Sequence, residues 1–158
     1  EIDIPPAPGV NEAREASKGF PGFEEHLYST CFVCGTRRPA GDGLELFPGP
    51  LGGGEGYACP WLPKPDMLDS AGNIHPLFVW SALDCPGGYG AFGDLKIPML
   101  LGELALASYR PVPGGEELVV YAWPLGSEGR KYYGGAAVAS ADGEVLAASR
   151  STWIVLKQ

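Results

Sequence analysis

The sequence predicts an α+β domain in which a curved antiparallel sheet of about six strands wraps around one central helix. Three observations predict it. Gly (24) and Pro (16) make up about a quarter of the 158 residues, roughly twice ordinary usage. Turns are therefore many and long helices few, because an interior Gly costs a helix about 1 kcal/mol and an interior Pro about 3. Hydrophobic residues still amount to 45% and aromatics to 11%. That is too apolar for a disordered chain, and the length is enough for one buried core. Finally, Pro76-Leu-Phe-Val-Trp-Ser-Ala-Leu83 is apolar almost all round, the pattern of a helix enclosed by other elements.

Residues 1–40 read as an N-terminal extension packing on the body, and residues 41–158 as the main domain. The extension mixes Pro, Gly and charge, with Phe20, Phe23, Leu27 and Tyr28 as anchors. Its first sixteen residues are acidic, proline-bearing and poor in apolar residues, unlike a signal peptide. Gly41-Asp42-Gly43 marks a turn, Leu44, Leu46 and Phe47 a short strand, and Pro48–Gly54 a loop. Residues 56–62 carry Tyr57, Cys59 and Trp61 at period two, a second strand. After a loop over 63–72, Pro76 opens the helix, where its missing N–H costs nothing. Pro86-Gly87-Gly88 ends or sharply bends that helix.

Four strands are expected in the remainder. They cover 99–109, 117–123, 132–140 and 144–156, with turns at Pro113-Gly114-Gly115, Gly126-Ser-Glu-Gly129 and Asp142-Gly143. The last turn is a favoured hairpin signal. In the last strand Val145, Ala147, Ser149, Ser151, Trp153 and Val155 share one face. Short connections between four long strands suggest an antiparallel meander. One helix cannot shield both faces of a large sheet, so the sheet is expected to curl around it. The exposed edges then favour self-association.

The formal charge of −8 disfavours nucleic acid and anionic membrane surfaces as partners. No apolar run approaches the roughly 20 residues of a membrane span. Cys31, Cys34, Cys59 and Cys85 are too few for a disulfide scaffold and fit thiols in a reducing cytoplasm. Cys31-Phe-Val-Cys34 has the spacing of half a zinc site, which His26 or His75 would have to help complete. Without a second pair, the preferred reading is of buried small side chains near a turn. Cys85 reads as a structural thiol.

The order of elements, with His75-Pro-Leu-Phe-Val-Trp-Ser-Ala-Leu-Asp84, Tyr109-Arg-Pro-Val-Pro-Gly114, Gly129-Arg-Lys131 and Asp142-Gly-Glu-Val-Leu-Ala147, resembles the hotdog-fold thioesterases of the 4-hydroxybenzoyl-CoA and phenylacetate type. Cys31-Phe-Val-Cys34-Gly35 with Gly43-Leu44 is similar to an N-terminal extension of some members. The resemblance covers residues 43–156. It implies a homodimer or dimer of dimers, and hydrolysis of an acyl-CoA or acyl-carrier thioester without a metal or redox cofactor. Coenzyme A would enter as part of the substrate. It also implies that Asp84, nine positions after His75, is the base or nucleophile. His75 would assist it, and the amide of Leu77 or Phe78 would hold the thioester carbonyl. Pro76 and Leu77 stand where many members have two glycines.

The residues themselves support part of this. A carboxylate at the C-terminal end of a helix is opposed by the macrodipole, so helix stability does not explain Asp84; base or nucleophile chemistry does, as does capping of the following turn. Arg130 and Lys131 are placed to meet CoA phosphates, or are solvated turn charges. Two other functions fit the same residues: a non-catalytic protein binding acyl-CoA or another apolar ligand, and an interaction protein built on a zinc site at Cys31 and Cys34.

Overall fold

The computed structural model describes residues 3–94 and 96–157; residues 1 and 2 of the expected extension and residues 95 and 158 of the expected main domain lie outside them. The elements run α1 (Val10–Ser17), β1 (Gly49–Pro50), β2 (Tyr57–Trp61), α2 (Pro76–Ala82), α3 (Cys85–Phe92), β3 (Met99–Ser108), β4 (Leu118–Glu128), β5 (Lys131–Ala139) and β6 (Val145–Val155). One antiparallel sheet takes the order β1-β2-β4-β5-β6-β3. It curls around α3, which packs against β2, β4, β5 and β6. The expected fold, a hotdog, is the observed one.

The details differ in four places. The helix does not stop at Pro86-Gly87-Gly88: it breaks at Leu83-Asp84 and restarts, with Pro86 in the first turn of α3. Proline is as much at home there as after a helix end, so the same residues signal either. Residues 99–156 are not a four-stranded meander. β4, β5 and β6 form a three-stranded meander, but β3 pairs with β6 at the far edge, so 109–117 is a crossover rather than a hairpin. Leu44–Phe47 forms no strand. The Leu44 and Leu46 amides donate instead to the carbonyls of Phe32 (2.8 Å) and Val33 (2.9 Å), and the first strand is β1. The turn expected at 126–129 moves outward, because β4 continues through a bulge at Leu125 to Glu128.

Alternation along β6 places Ala147, Ser149, Ser151 and Trp153 toward the helices. Ser149 Oγ donates to the Leu83 carbonyl (3.4 Å), and Trp153 lies against the backbone of Gly88. Leu118, Val120, Ala122, Ala136 and Val138 join Ala82 and Leu83 in the core on this face. The opposite face is not bare. Ala13 of α1 packs with Ala58, Tyr121, Trp123 and Ala137, and the Tyr121 hydroxyl donates to the Pro5 carbonyl (3.0 Å). Of the four expected anchors in the extension, Phe20 is the buried one, stacked edge-on to Tyr89 of α3 with centroids 5.1 Å apart. Phe23, Leu27 and Tyr28 are exposed, although Tyr28 donates its hydroxyl to the Met99 carbonyl (2.9 Å). Among the described residues no helix is long and apolar enough to cross a membrane.

Candidate active site

A cavity of about 460 Å³ opens where three parts of the chain meet. The extension contributes His26 to Cys31 and Cys34, the α2–α3 junction contributes Asp84 and Cys85, and the sheet contributes Met99, Leu100, Leu101 and Trp153. The wall is mainly apolar, with the Ser29 and Thr30 hydroxyls and the Asp84 carboxylate among its few polar groups, the composition of a small-molecule site.

Asp84 owes its position to the helix break. It is the residue before α3, not the last turn of a long helix, so the dipole of α3 favours its negative charge. Its side chain makes no capping hydrogen bond, so the turn-capping role is not the one it plays. Burial, and then the negative charge of Cys31, raise its carboxyl from 3.8 to about 6. A half-buried carboxylate facing an apolar cavity, with basicity above that of an ordinary aspartate, is suited to proton abstraction or nucleophilic attack.

His75 does not share this cavity. It is exposed before α2, and its Nδ1 accepts the Leu77 N–H (3.3 Å). Its carbonyl accepts the Phe78 N–H (2.9 Å). Both amides expected to hold a carbonyl are thus engaged in capping α2, and His75 is that cap. The departure from two glycines, Pro76-Leu77, goes with a helix start closed on itself. Arg130 and Lys131 are exposed on the β4–β5 turn, where Arg130 donates to the Val155 carbonyl (2.9 Å). Lys131 is paired across β6 Ile154, whose other neighbour is Leu100. The two cations therefore lie at the end of the sheet that carries the cavity wall.

The structure adds residues that sequence reasoning left apart. Cys85, read as an isolated thiol, stands beside the Cys31-x-x-Cys34 loop, and the three sulfur atoms lie within 4.8 Å of one another. Contacts with the Cys34 and then the Cys85 thiol hold the Cys31 thiol well below its ordinary value. Cys34 and Cys85 are pushed up, first by their contact with Cys31. His26 touches the cluster through Nε2, 3.4 Å from Cys34 Sγ. Cys59 is buried elsewhere in the core. The only sequence signal for this grouping was the Cys-x-x-Cys spacing; the fold supplies the third member from 51 positions beyond Cys34.

No protein-family model matches the chain, and no curated protein matches it. Solved structures do. A thioesterase superfamily protein from Shewanella loihica PV-4 aligns with a TM-score of 0.56 at 21% identity, over 66% of this chain and 87% of its own. An uncharacterized protein from Pyrococcus horikoshii aligns with 0.58 at 23%, over 72% and 84%. A hypothetical thioesterase protein with coenzyme A from Streptococcus pneumoniae TIGR4 aligns with 0.58 at 12%, over 65% and 82%. At these identities the likeness shows the fold.

Proposed function

We propose that the chain hydrolyses an acyl thioester, carried by coenzyme A or an acyl carrier, in the cavity between the extension and the sheet. The observation that carries this reading is the uncapped, half-buried Asp84 carboxylate on an apolar cavity of about 460 Å³. As a base, Asp84 takes a proton from water, and the hydroxide adds to the carbonyl carbon. The C–S bond then breaks, and the proton returns to the departing thiolate. As a nucleophile, Asp84 forms a mixed anhydride that water opens. Both routes give a carboxylic acid and a thiol. The Ser29 and Thr30 hydroxyls orient the carbonyl, and the Leu100–Leu101 wall takes the acyl group. Arg130 and Lys131 meet the phosphates of coenzyme A. The named S. pneumoniae neighbour with coenzyme A supports that choice of carrier.

A panel of acyl-CoA substrates, run beside the same acyl groups on N-acetylcysteamine, tests the reading. Hydrolysis with kcat/KM at least about tenfold higher on the CoA forms is expected. Binding of acyl-CoA without turnover would select the non-catalytic alternative, and neither binding nor turnover would exclude both.

The same reading includes a homodimer in the cytoplasm. β3 is the last strand of the sheet, Leu100 on it is 53% exposed, and Trp80 and Leu77 are also exposed. Such an edge is a template for pairing with a second copy, which would also wall the cavity at 99–101. Sedimentation equilibrium should return the mass of two chains, and a Leu100→Lys variant that of one. A monomeric wild type at micromolar concentration would refute the dimer.

A further inference from the structure

We propose that Cys31, Cys34 and Cys85 together bind one zinc ion, with its fourth coordination position facing the cavity that Asp84 lines. Three thiolates placed about 2.3 Å from a tetrahedral zinc stand about 3.8 Å from one another. Here the Cys31 and Cys85 sulfurs are 3.4 Å apart, and all three lie within 4.8 Å of one another. The ion therefore enters with small side-chain adjustments. All three cysteines are free thiols, and a soft, sulfur-rich set of this kind selects zinc over the hard divalent cations.

The surrounding backbone is built for anionic sulfur. The Val33 N–H points at Cys31 Sγ (3.4 Å), and the Gly35 N–H closes the loop on the Cys31 carbonyl (2.9 Å). A Cβ at Gly35 would lie 2.7 Å from Cys31 N and 2.8 Å from the Ser29 carbonyl oxygen, so the tight Cys-x-x-Cys-Gly turn requires that glycine. The amides of Leu44 and Leu46 pin the same loop from outside. Cys85 is the first residue of the eight-residue α3, where the helix dipole favours thiolate. An amide aimed at sulfur acts in the same direction.

His26 fixes which groups are ligands. Its Nδ1 accepts the Tyr28 N–H (3.0 Å), which assigns the proton to Nε2. That N–H faces the Cys34 carbonyl (3.0 Å) and Cys34 Sγ (3.4 Å). His26 is therefore a donor to a ligand, holding Cys34 in place, and not the fourth ligand. All three cysteines line the cavity, which leaves the fourth position to water or to a substrate sulfur or oxygen. Binding expels the remaining thiol protons to solvent. The ion would tie residues 26–34 to the start of α3, and so set the place of Asp84.

Elemental analysis of the full chain, purified without chelator, should find about one zinc per chain. Protein stripped of metal and titrated with Co²⁺ should develop an intense sulfur-to-cobalt charge-transfer band that saturates at one equivalent. Cys31→Ser, Cys34→Ser and Cys85→Ser should each lose most of the metal, Cys59→Ala should keep it, and His26→Ala should keep it with affinity weakened about 10- to 100-fold. The proposal is overturned if the wild type neither carries zinc nor takes up zinc or cobalt. It is overturned equally if non-reducing peptide mapping finds these cysteines paired as a disulfide, or if the three serine variants retain the metal. Should a variant fail to fold, the wild-type analysis and the cobalt spectrum decide the matter. The site does not rest on thioester hydrolysis: a zinc-loaded protein inactive on every acyl-CoA would refute the hydrolase reading alone.

Discussion

Asp84→Asn should lower kcat on the best acyl-CoA substrate by at least about a hundredfold, the lower end of what a positioned base contributes, while acyl-CoA binding stays within about threefold. The substitution keeps shape and volume and removes only the ability to accept a proton or form an anhydride. Stability should hold or rise slightly, because the native carboxylate is desolvated, as its raised value of about 6 records, and is not used as a cap. Urea unfolding of the variant separates the two effects. His75→Ala gives the contrast. It removes the acceptor for the Leu77 N–H, at about 1 kcal/mol for a lost cap, and should leave kcat within about threefold. Full activity in Asp84→Asn, or a collapse of kcat in a folded His75→Ala, would reverse the assignment of the site.

That contrast marks how far the sequence could be read. Spacing placed Asp84 at the end of the apolar helix, and this was enough to single it out. The reason it is exposed to a cavity was not legible, because it depends on a break. Pro86 ends a helix and Pro86 begins one by the same absence of an N–H, and only the packing of Gly87, Gly88 and Gly90 on the sheet decides for a second helix. His75 was drawn in by the resemblance alone, as the first residue of the motif that ends at Asp84. Its ring caps the first turn of α2 instead. Strand order suffered likewise. Pro113-Gly114-Gly115 marks a change of direction, but a turn signal says nothing about which strand the chain meets next. Here the chain crosses from the β6 side of the sheet to β2. By contrast the alternation in β6, from Ala147 to Trp153, was readable because period two follows from the pleat itself. The sulfur cluster joins residues 51 positions apart in sequence, through the Phe20–Tyr89 and Tyr28–Met99 contacts that dock the extension. No local pattern encodes that.

A large loss of stability should come from Gly134→Ala. On β5, the Cβ of any residue at 134 would collide with the Gly87 carbonyl oxygen, and it would sit 3.0 Å from both the backbone nitrogen and the Cβ of Ala91. Two of those three atoms belong to the helix backbone, so no side-chain rotation relieves the clash, and α3 must lift. Beneath it, Trp153 Nε1 donates to Ser151 Oγ (3.0 Å), which donates to the Gly134 carbonyl (3.2 Å). This chain ties β6 to β5 and holds Gly134 in place beneath the helix, so it is α3 that must move. Overpacking usually costs about 1–3 kcal/mol, and this rigid case should reach about 3, a large share of the roughly 5–15 kcal/mol that holds a domain together. The comparison is Gly54→Ala, at a loop position with nothing within 4 Å, which should be neutral or stabilising by up to about 1 kcal/mol through the unfolded state. Chemical denaturation of both variants measures the difference. The same geometry explains why α3 tolerates Gly87, Gly88 and Gly90 at about 1 kcal/mol each in helix propensity. A Cβ at 88 would press to 2.9 Å from the Trp153 ring, and one at 90 to 2.7 Å from the Trp123 amide nitrogen. The glycine excess in this helix is thus a requirement of its close approach to the sheet. If Gly134→Ala proved no more destabilising than Gly54→Ala, α3 would have to be able to ride higher, and Asp84 would no longer be held in place by it.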